Sequence, residues 1–457
     1  MQRKKLSSTE RVGIVVGGGP APGINGVISS AALAAMDLGH EVIGFFEGFE
    51  FICKEALDLS KEDKVKLLRH SDVTHIHWEG GSVLRTARTE PKPEEIEMII
   101  KNLYALNVRY LITIGGDDTA TTASRLAEKC VGKVNVVHVP KTIDNDLPLP
   151  GTTPTFGFQT ARDFGATVVT SLLYDAKTTS RWFIVIAMGR KAGHLALGIG
   201  KSAGATITII PEEFKEGAEL ELRDIAEIIV GAMIKRRSSP MNRPDGLAVV
   251  AEGVAFKLKE SEIKRLEEEK LGKIKKDEAG RIRLADVQLG RAIELEIRRI
   301  LDDKYRFNGG PPLTKGIVVK DVGYELRCVR PIRFDIDYTR DLGYGAVIAA
   351  LKGWTNCMVS CPPISDREAC TSADDVQTIP LSKLRGADGR VIVRMVNIGS
   401  LSYRVAREYM IRLEEEDFTD AEVLASLARV ANMTPEQFTE RFKRLRQLQA
   451  YHVKRFS

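Results

Sequence analysis

Cysteine is sparse: six in 457 residues, too few in a chain of this size for the disulfide framework of a small secreted protein. Cys357, Cys361 and Cys370 form the closest set. Their spacing matches no zinc template, and Cys357-Met-Val-Ser-Cys361 sits in an apolar stretch, which predicts buried reduced thiols and no structural metal. No apolar run approaches the ~20 residues that span a bilayer. The opening Met1-Gln-Arg-Lys-Lys-Leu-Ser-Ser lacks an apolar signal core, so a cytoplasmic protein with no membrane partner is expected. A dominant charge sign is missing as well. The net charge is +5, and no basic and aromatic residues interleave, which argues against nucleic acid and suits small anionic substrates. The basic segments Phe442-Lys-Arg-Leu-Arg446 and Val453-Lys-Arg-Phe456 read as a solvated helix face. What is present is an ordinary soluble balance, 43% hydrophobic and 28% charged, in a chain long enough for two or three units.

Three apolar strands end abruptly in residues suited to phosphate. Val12-Gly-Ile-Val-Val16 runs into Gly17-Gly-Gly-Pro-Ala-Pro-Gly-Ile-Asn25 and then a run of small residues. In such a strand, glycine turn and helix, Gly18 and Gly19 let backbone N–H groups approach an anion at a helix N-terminus. The spacing fits neither the dinucleotide fingerprint nor the Walker loop, whose Gly-Lys-Ser/Thr is absent, so a dehydrogenase or P-loop NTPase is disfavoured. The other two strands are Leu111-Ile-Thr-Ile-Gly-Gly-Asp-Asp-Thr119 and Val139-Pro-Lys-Thr-Ile-Asp-Asn-Asp146. Ligands of open α/β sheets bind beyond the carboxyl ends of strands, which would bring Asp117, Asp118, Asp144 and Asp146 together. Carboxylates a few ångströms apart repel by roughly 1–4 kcal/mol per pair, so a cation or a proton-transfer task is implied. Asp-rich turns or helix caps alone would not call for a lysine among them.

In order along the chain these segments are joined by Leu84-Arg-Thr-Ala-Arg88, Arg181 seven residues ahead of Met188-Gly-Arg190, Ala251-Glu-Gly253 and Gly323-Tyr-Glu-Leu-Arg327. The series, from about Val12 to Ala350, resembles the phosphofructokinase family. Within that family, ATP-using members carry a glycine after the Gly-Gly-Asp aspartate and another before Thr-Ile-Asp-Asn-Asp. This chain has Asp118 and Lys141 there, the pattern of the pyrophosphate-dependent branch. A carboxylate at Asp118 would repel a nucleotide α-phosphate, and Lys141 offers a compact anion a point charge on a flexible stem.

The resemblance implies roles for individual residues. Asp144 is the base for the sugar 1-hydroxyl, Asp117 the magnesium-linked aspartate, Asp146 an electrostatic assistant, and Thr142 a hydrogen-bond partner of the moving phosphoryl group. Gly18, Gly19, Arg88, Asp118, Thr119 and Lys141 form the donor set. Met188, Gly189, Arg190, Glu252, Tyr324 and Arg327, with Thr142 and Asp144, form the sugar-phosphate set, joined by Arg181 from a neighbouring subunit of a homodimer or homotetramer. Arg85 reads equally as a surface ion pair. Tyr324 stands where ATP-dependent bacterial relatives have histidine, and Arg327-Cys-Val replaces their Arg-Gly-Gly. The implied reaction, with Mg²⁺, converts pyrophosphate and fructose 6-phosphate reversibly to phosphate and fructose 1,6-bisphosphate, a step of glycolysis and gluconeogenesis. An ATP-dependent kinase, or the same transfer to sedoheptulose 7-phosphate, stays open. So does a catalytically idle subunit, which the presence of Asp117 and Asp144 opposes.

Strand-like and helical segments alternate throughout, predicting an α/β fold of two Rossmann-like three-layer domains with parallel-rich sheets, the active site in the cleft between them, and a helical C-terminal extension. Residues 1–155 and about 328–405 are assigned to the donor domain. Residues 156–327 form the sugar-phosphate domain, with a charged helical insertion at about 257–305, and 406–457 form the extension. Val391–Val396 is a possible strand. Asp417-Phe-Thr-Asp420 and Thr434-Pro-Glu-Gln437 carry helix-start signals.

Overall fold

The computed structural model describes residues 10–272, 287–304, 312–361, 377–386 and 391–448. Cys370, the basic segment at 453–456 and residues 273–276 of the charged stretch lie outside that set. The chain forms two compact units, 1–161 with 324–394, and 162–323 with 395–457.

The first unit is built on a seven-stranded sheet. Its strands are β1 (Arg11–Val16), β2 (Glu41–Phe45), β3 (Val65–Leu68), β4 (Val108–Gly115) and β5 (Asn135–Pro140). The second unit contributes β6 (Trp182–Ala187), β7 (Ile207–Ile209), β8 (Gly246–Ala251) and β9 (Ile317–Val322) to its own sheet, and the chain then returns to the first with β10 (Cys357–Ser360) and β11 (Gln377–Pro380).

The first sheet has the order β11-β10-β5-β4-β1-β2-β3. Its five central strands are parallel, and only the edges β3 and β11 run antiparallel. β1 and β4 are almost wholly buried, as parallel strands covered on both faces must be. One face packs on helices Ile24–Asp37 and Arg333–Leu351, where Ile24, Val27, Ile28, Leu342 and Val347 are fully buried. Helices Pro93–Ala105 and Asp117–Lys129 cover the other through Ile96, Ile99, Leu103 and Leu126. Each such side chain contributes ~1.5–3 kcal/mol by leaving water.

The second sheet, β7-β8-β6-β9, is wholly parallel. Its helices include His194–Ala203, Leu222–Ser238 and Leu289–Lys304. A 22-residue helix, Phe158–Thr179, has no counterpart in the sequence reading; its Thr167-Val-Val-Thr170 core is β-branched and reads poorly as helix.

Residues 395–405 and the C-terminal helices belong with the second unit, not with the first or on their own. Glu213, 2% exposed, explains the attachment: it accepts hydrogen bonds from Tyr403 and Arg412, both at 2.6 Å. Helix Pro435–Leu448 opens with a reciprocal pair, Thr434 N–H to Gln437 and Gln437 N–H to Thr434, and Asp420 caps Ala421–Val430. The expected solvated basic face is instead paired: Arg444 donates to Asp224 and Arg446 to Glu415. Val391 makes only an isolated bridge with Arg385, so no strand runs to Val396. Cys361 is disulfide-bonded, contrary to the expected thiol; sequence spacing carries no information on the Sγ approach that decides it. Cys357 is a buried thiol, and burial pushes it up to about 12.

Candidate active site

In the first unit, the ends of β1, β4 and β5 bring Lys141 together with Arg88, Arg327 and the acids Asp117 and Asp144. The turn after β1 is held by Gly17 N–H to Ile114 and Gly18 N–H to Ala87, at 2.9 and 2.8 Å, and Thr86 donates to the Gly18 carbonyl at 2.6 Å. Gly18 has φ +81°, the left-handed region glycine fills without strain. Gly19 admits a close approach: a Cβ there would stand 2.6 Å from Arg327 Nη2 and 3.4 Å from Arg88 Nη2, and one at Gly18 would stand 3.2 Å from Lys141 Nζ. Lys141 donates to the Gly19 carbonyl. Arg88, Lys141 and Arg327 therefore converge on one glycine turn.

These cations raise one another's free energy. Lys141 is 4% exposed; burial and then the charges of Arg327 and Arg88 bring its ammonium down to about 8. Burial, then Arg88, likewise lowers Arg327, which lies under the exposed Tyr324 ring at 5.2 Å. A polyanion among them would reverse that repulsion. Arg327 thus stands beside Arg88 and Lys141 in the first unit, because the short turn Tyr324–Leu326 after β9 starts the return to that unit. Arg85, in contrast, is exposed and paired with Glu47 at 2.9 Å.

Asp117 and Asp118 open helix Asp117–Lys129, where carboxylates complement the positive end of the helix. Thr119, expected among the donor contacts, is 4% exposed and packs against Gly17 and Gly115. It shapes the turn, because helical side chains lean back toward the N-terminus. The acid turn follows β5. The Thr142 hydroxyl accepts from Asp144 N–H at 3.0 Å and donates to the Asp146 carboxylate, which ties the two acids together. Burial, and then repulsion from Asp144 and Asp117, raise Asp146 to about 7. Such a set favours a proton or a cation in its midst.

Two groups bonded to these strand ends and turns escaped the sequence reading. His138, fully buried on β5, hydrogen-bonds through Nε2 to the Gly115 carbonyl and through Nδ1 to Thr113, both at 3.0 Å. A carbonyl only accepts, so Nε2 carries the proton and Thr113 donates. Burial lowers this imidazole to about 3, and the same Gly115 carbonyl accepts Lys141 N–H at 2.8 Å. His138 thereby fixes the strand end that launches Lys141. Arg394 is the other: it donates to the acid turn from 249 residues further along, and no local signal marks it.

In the second unit, β6 lies between β8 and β9 with Ala187 in register with both Ala251 and Val322. The residues after them are consequently neighbours. Gly189 N–H points at Glu252 Oε2 at 3.3 Å, and a Cβ on Gly323 would meet Met188 Cε at 2.8 Å. Arg190 joins this group, its carbonyl 2.9 Å from where a Gly253 Cβ would lie. Glu212 supports the same loop by accepting Gly193 N–H at 2.9 Å. Arg181 is not in this group. It is exposed and precedes the amino end of β6, seven residues from Met188 and so roughly 23 Å along the strand at ~3.3 Å per residue.

Comparison with known proteins identifies the family. A family model described as Phosphofructokinase matches residues 11–301. The chain is 46% identical over 436 residues to a pyrophosphate–fructose 6-phosphate 1-phosphotransferase of Thermotoga maritima, covering 95% of this chain and 98% of that protein. A protein of the same name from Naegleria fowleri is 42% identical over 441 residues, with 95% of each covered. Among solved structures, a pyrophosphate-dependent phosphofructokinase from Nitrosospira multiformis superposes with a TM-score of 0.62 at 18% identity over 93% of this chain and 92% of that one. The glycine turn, the acid turn and the matched length together place this chain in the phosphofructokinase family.

Proposed function

We propose that this chain is a pyrophosphate:fructose 6-phosphate 1-phosphotransferase, forming fructose 1,6-bisphosphate and phosphate. The observation that carries it is the convergence of Lys141, Arg88 and Arg327 on the Gly17–Gly19 turn. Three cations on one turn suit a compact polyanion, and Asp118 adds a negative charge at the neighbouring helix start, which disfavours a nucleotide's α-phosphate. The relatives of this name, 46% and 42% identical over nearly the whole chain, support the same reading.

Asp144 takes the proton of the sugar 1-hydroxyl while that oxygen attacks the nearer phosphorus of pyrophosphate. Lys141, Arg88 and Arg327 neutralise charge on the departing phosphate. Thr142 links Asp144 and Asp146, so the acid turn presents its base in one orientation. Asp117 would hold magnesium. The fit rests on the repulsion that Asp144 and Asp117 exert on the buried Asp146, and one or two carboxylates with substrate phosphates is the usual magnesium set. When bound, that ion supplies charge neutralisation across the transferring oxygens.

Met188, Gly189, Arg190 and Glu252 recognise the sugar phosphate, with Glu252 accepting from its hydroxyls. Arg181, at the opposite end of β6, serves the sugar site of a neighbouring subunit, so a homodimer or homotetramer is part of the proposal, as is a cytoplasmic location. No helix among the described residues is long and apolar enough to cross a membrane. Phosphorus NMR of the protein with magnesium, pyrophosphate and fructose 6-phosphate tests the reaction. Equal growth of orthophosphate and of a second sugar phosphate at C1 is expected. Orthophosphate with no new ester refutes transfer, and faster ester formation from sedoheptulose 7-phosphate refutes the acceptor.

A further inference from the structure

Asn145, the residue between the two site aspartates, has φ +56°, a left-handed conformation that asparagine tolerates but does not prefer. Something must hold it. Thr155 donates to its Oδ1 through its N–H at 3.0 Å and its hydroxyl at 3.5 Å, and Arg394 supplies further support. The Arg394 guanidinium donates through Nε and Nη2 to the Asn145 carbonyl at 3.2 and 3.1 Å, and through Nη2 to Asn145 Oδ1 as well. Its Nη1 reaches the Thr153 carbonyl at 2.9 Å and that of Leu149 at 3.4 Å. The Arg394 backbone N–H donates to the Asp146 carbonyl at 2.7 Å. One residue thus spans the acid turn and the loop that follows it, and its charge also acts on the Asp146 carboxylate.

We propose that Arg394 is a positioning residue for phosphoryl transfer, holding the Asp144-Asn145-Asp146 turn in the conformation that aims its two carboxylates. The fork geometry of guanidinium is what the task requires: three carbonyls and an amide oxygen at fixed angles, which an ammonium cannot satisfy together. Removing it frees the turn to leave the left-handed conformation, and a base displaced by ~1 Å costs on the order of 10²-fold in rate. The inference rests on the acid turn being the catalytic turn, as proposed above.

The test is steady-state kinetics of Arg394→Ala and Arg394→Lys with both substrates, alongside thermal unfolding and calorimetric titration with pyrophosphate. Arg394→Ala should lower kcat by ~10²-fold with the KM of each substrate changed by less than ~3-fold. Pyrophosphate should bind as in the parent chain. Arg394→Lys should fall between them. Guanidinium ion at low millimolar concentration should restore part of the Arg394→Ala rate without moving its unfolding temperature or the parent's rate. A kcat that falls only in proportion to folded protein, or no rescue by guanidinium, overturns the proposal. If the parent transfers no phosphoryl group from pyrophosphate, the proposed function fails on its own. The same variants are then assayed with ATP as donor, where an unchanged kcat would overturn the positioning role.

Discussion

Pyrophosphate use should fall between pH 7 and pH 9 because Lys141 loses its proton there. Its ammonium is buried beside Arg327 and Arg88 and titrates at about 8. At pH 7 roughly nine-tenths of free sites then carry the charge, and at pH 9 roughly one-tenth, so kcat/KM for pyrophosphate should drop ~10-fold across that interval. Stability runs the other way. The folded ammonium is depressed below its ordinary value of 10.5, so between about pH 8 and 10.5 the unfolded chain binds more protons at this position and its contribution to stability rises with pH. Opposite trends in donor use and in stability are the signature of this lysine. Lys141→Arg stays charged throughout, and because the donor's own titration is common to both proteins, its profile should be flatter by about that ~10-fold. Lys141→Met should lose donor affinity at every pH. Steady-state profiles with saturating sugar read all three. Parallel profiles for the parent and Lys141→Arg would refute the assignment of the limb to Lys141, and a fully active Lys141→Met would refute its contact with the donor.

Other consequences are as specific. Asp118→Gly removes a carboxylate whose repulsion of a nearby phosphate is worth ~1–4 kcal/mol, so discrimination against ATP, measured as a ratio of specificity constants, should weaken by ~5-fold or more. Asp144→Asn keeps shape but accepts no proton; the maximal rate should fall by ~10²-fold or more while both substrates still bind. His138 is neutral when folded, with its imidazole lowered to about 3. Below its ordinary 6.5 the unfolded chain alone takes up that proton, so stability falls with pH by ~1.4 kcal/mol per unit. His138→Gln, compared by denaturant unfolding at pH 6.5 and 5, should show ~2 kcal/mol less of that loss. Arg181→Ala and Asp144→Asn chains, each inactive, should regain activity when co-assembled, as detected after mixed oligomers are verified by mass.

Much of the candidate site was legible because its chemistry follows strands whose apolar character is unmistakable. Val12–Val16, Leu111–Ile114 and the segment before Lys141 each end where phosphate-handling residues begin, and the sheet order then brings those ends together. The placement of Arg327 was not legible, since the boundary between the units falls between Gly323 and Tyr324 and no residue type marks it. Thr119 entered the donor set through the family resemblance; its burial against Gly17 and Gly115 depends on how β1 and β4 pair. Arg394 and His138 act through contacts 249 and 23 residues away, a separation that spacing arguments do not reach. The C-terminal helices were announced by their caps, but their attachment through Glu213 depends on a buried carboxylate whose partners lie 190 and 199 residues later.

The central claim, that pyrophosphate is the donor, is tested most directly by one ratio: kcat/KM for pyrophosphate over that for ATP, with magnesium and fructose 6-phosphate saturating. Lys141, Arg88 and Arg327 on the glycine turn, with Asp118 set against a longer donor, predict a ratio of ~10² or more, equivalent to ~2.7 kcal/mol in transition-state discrimination. A ratio near one, or one that favours ATP, would contradict it.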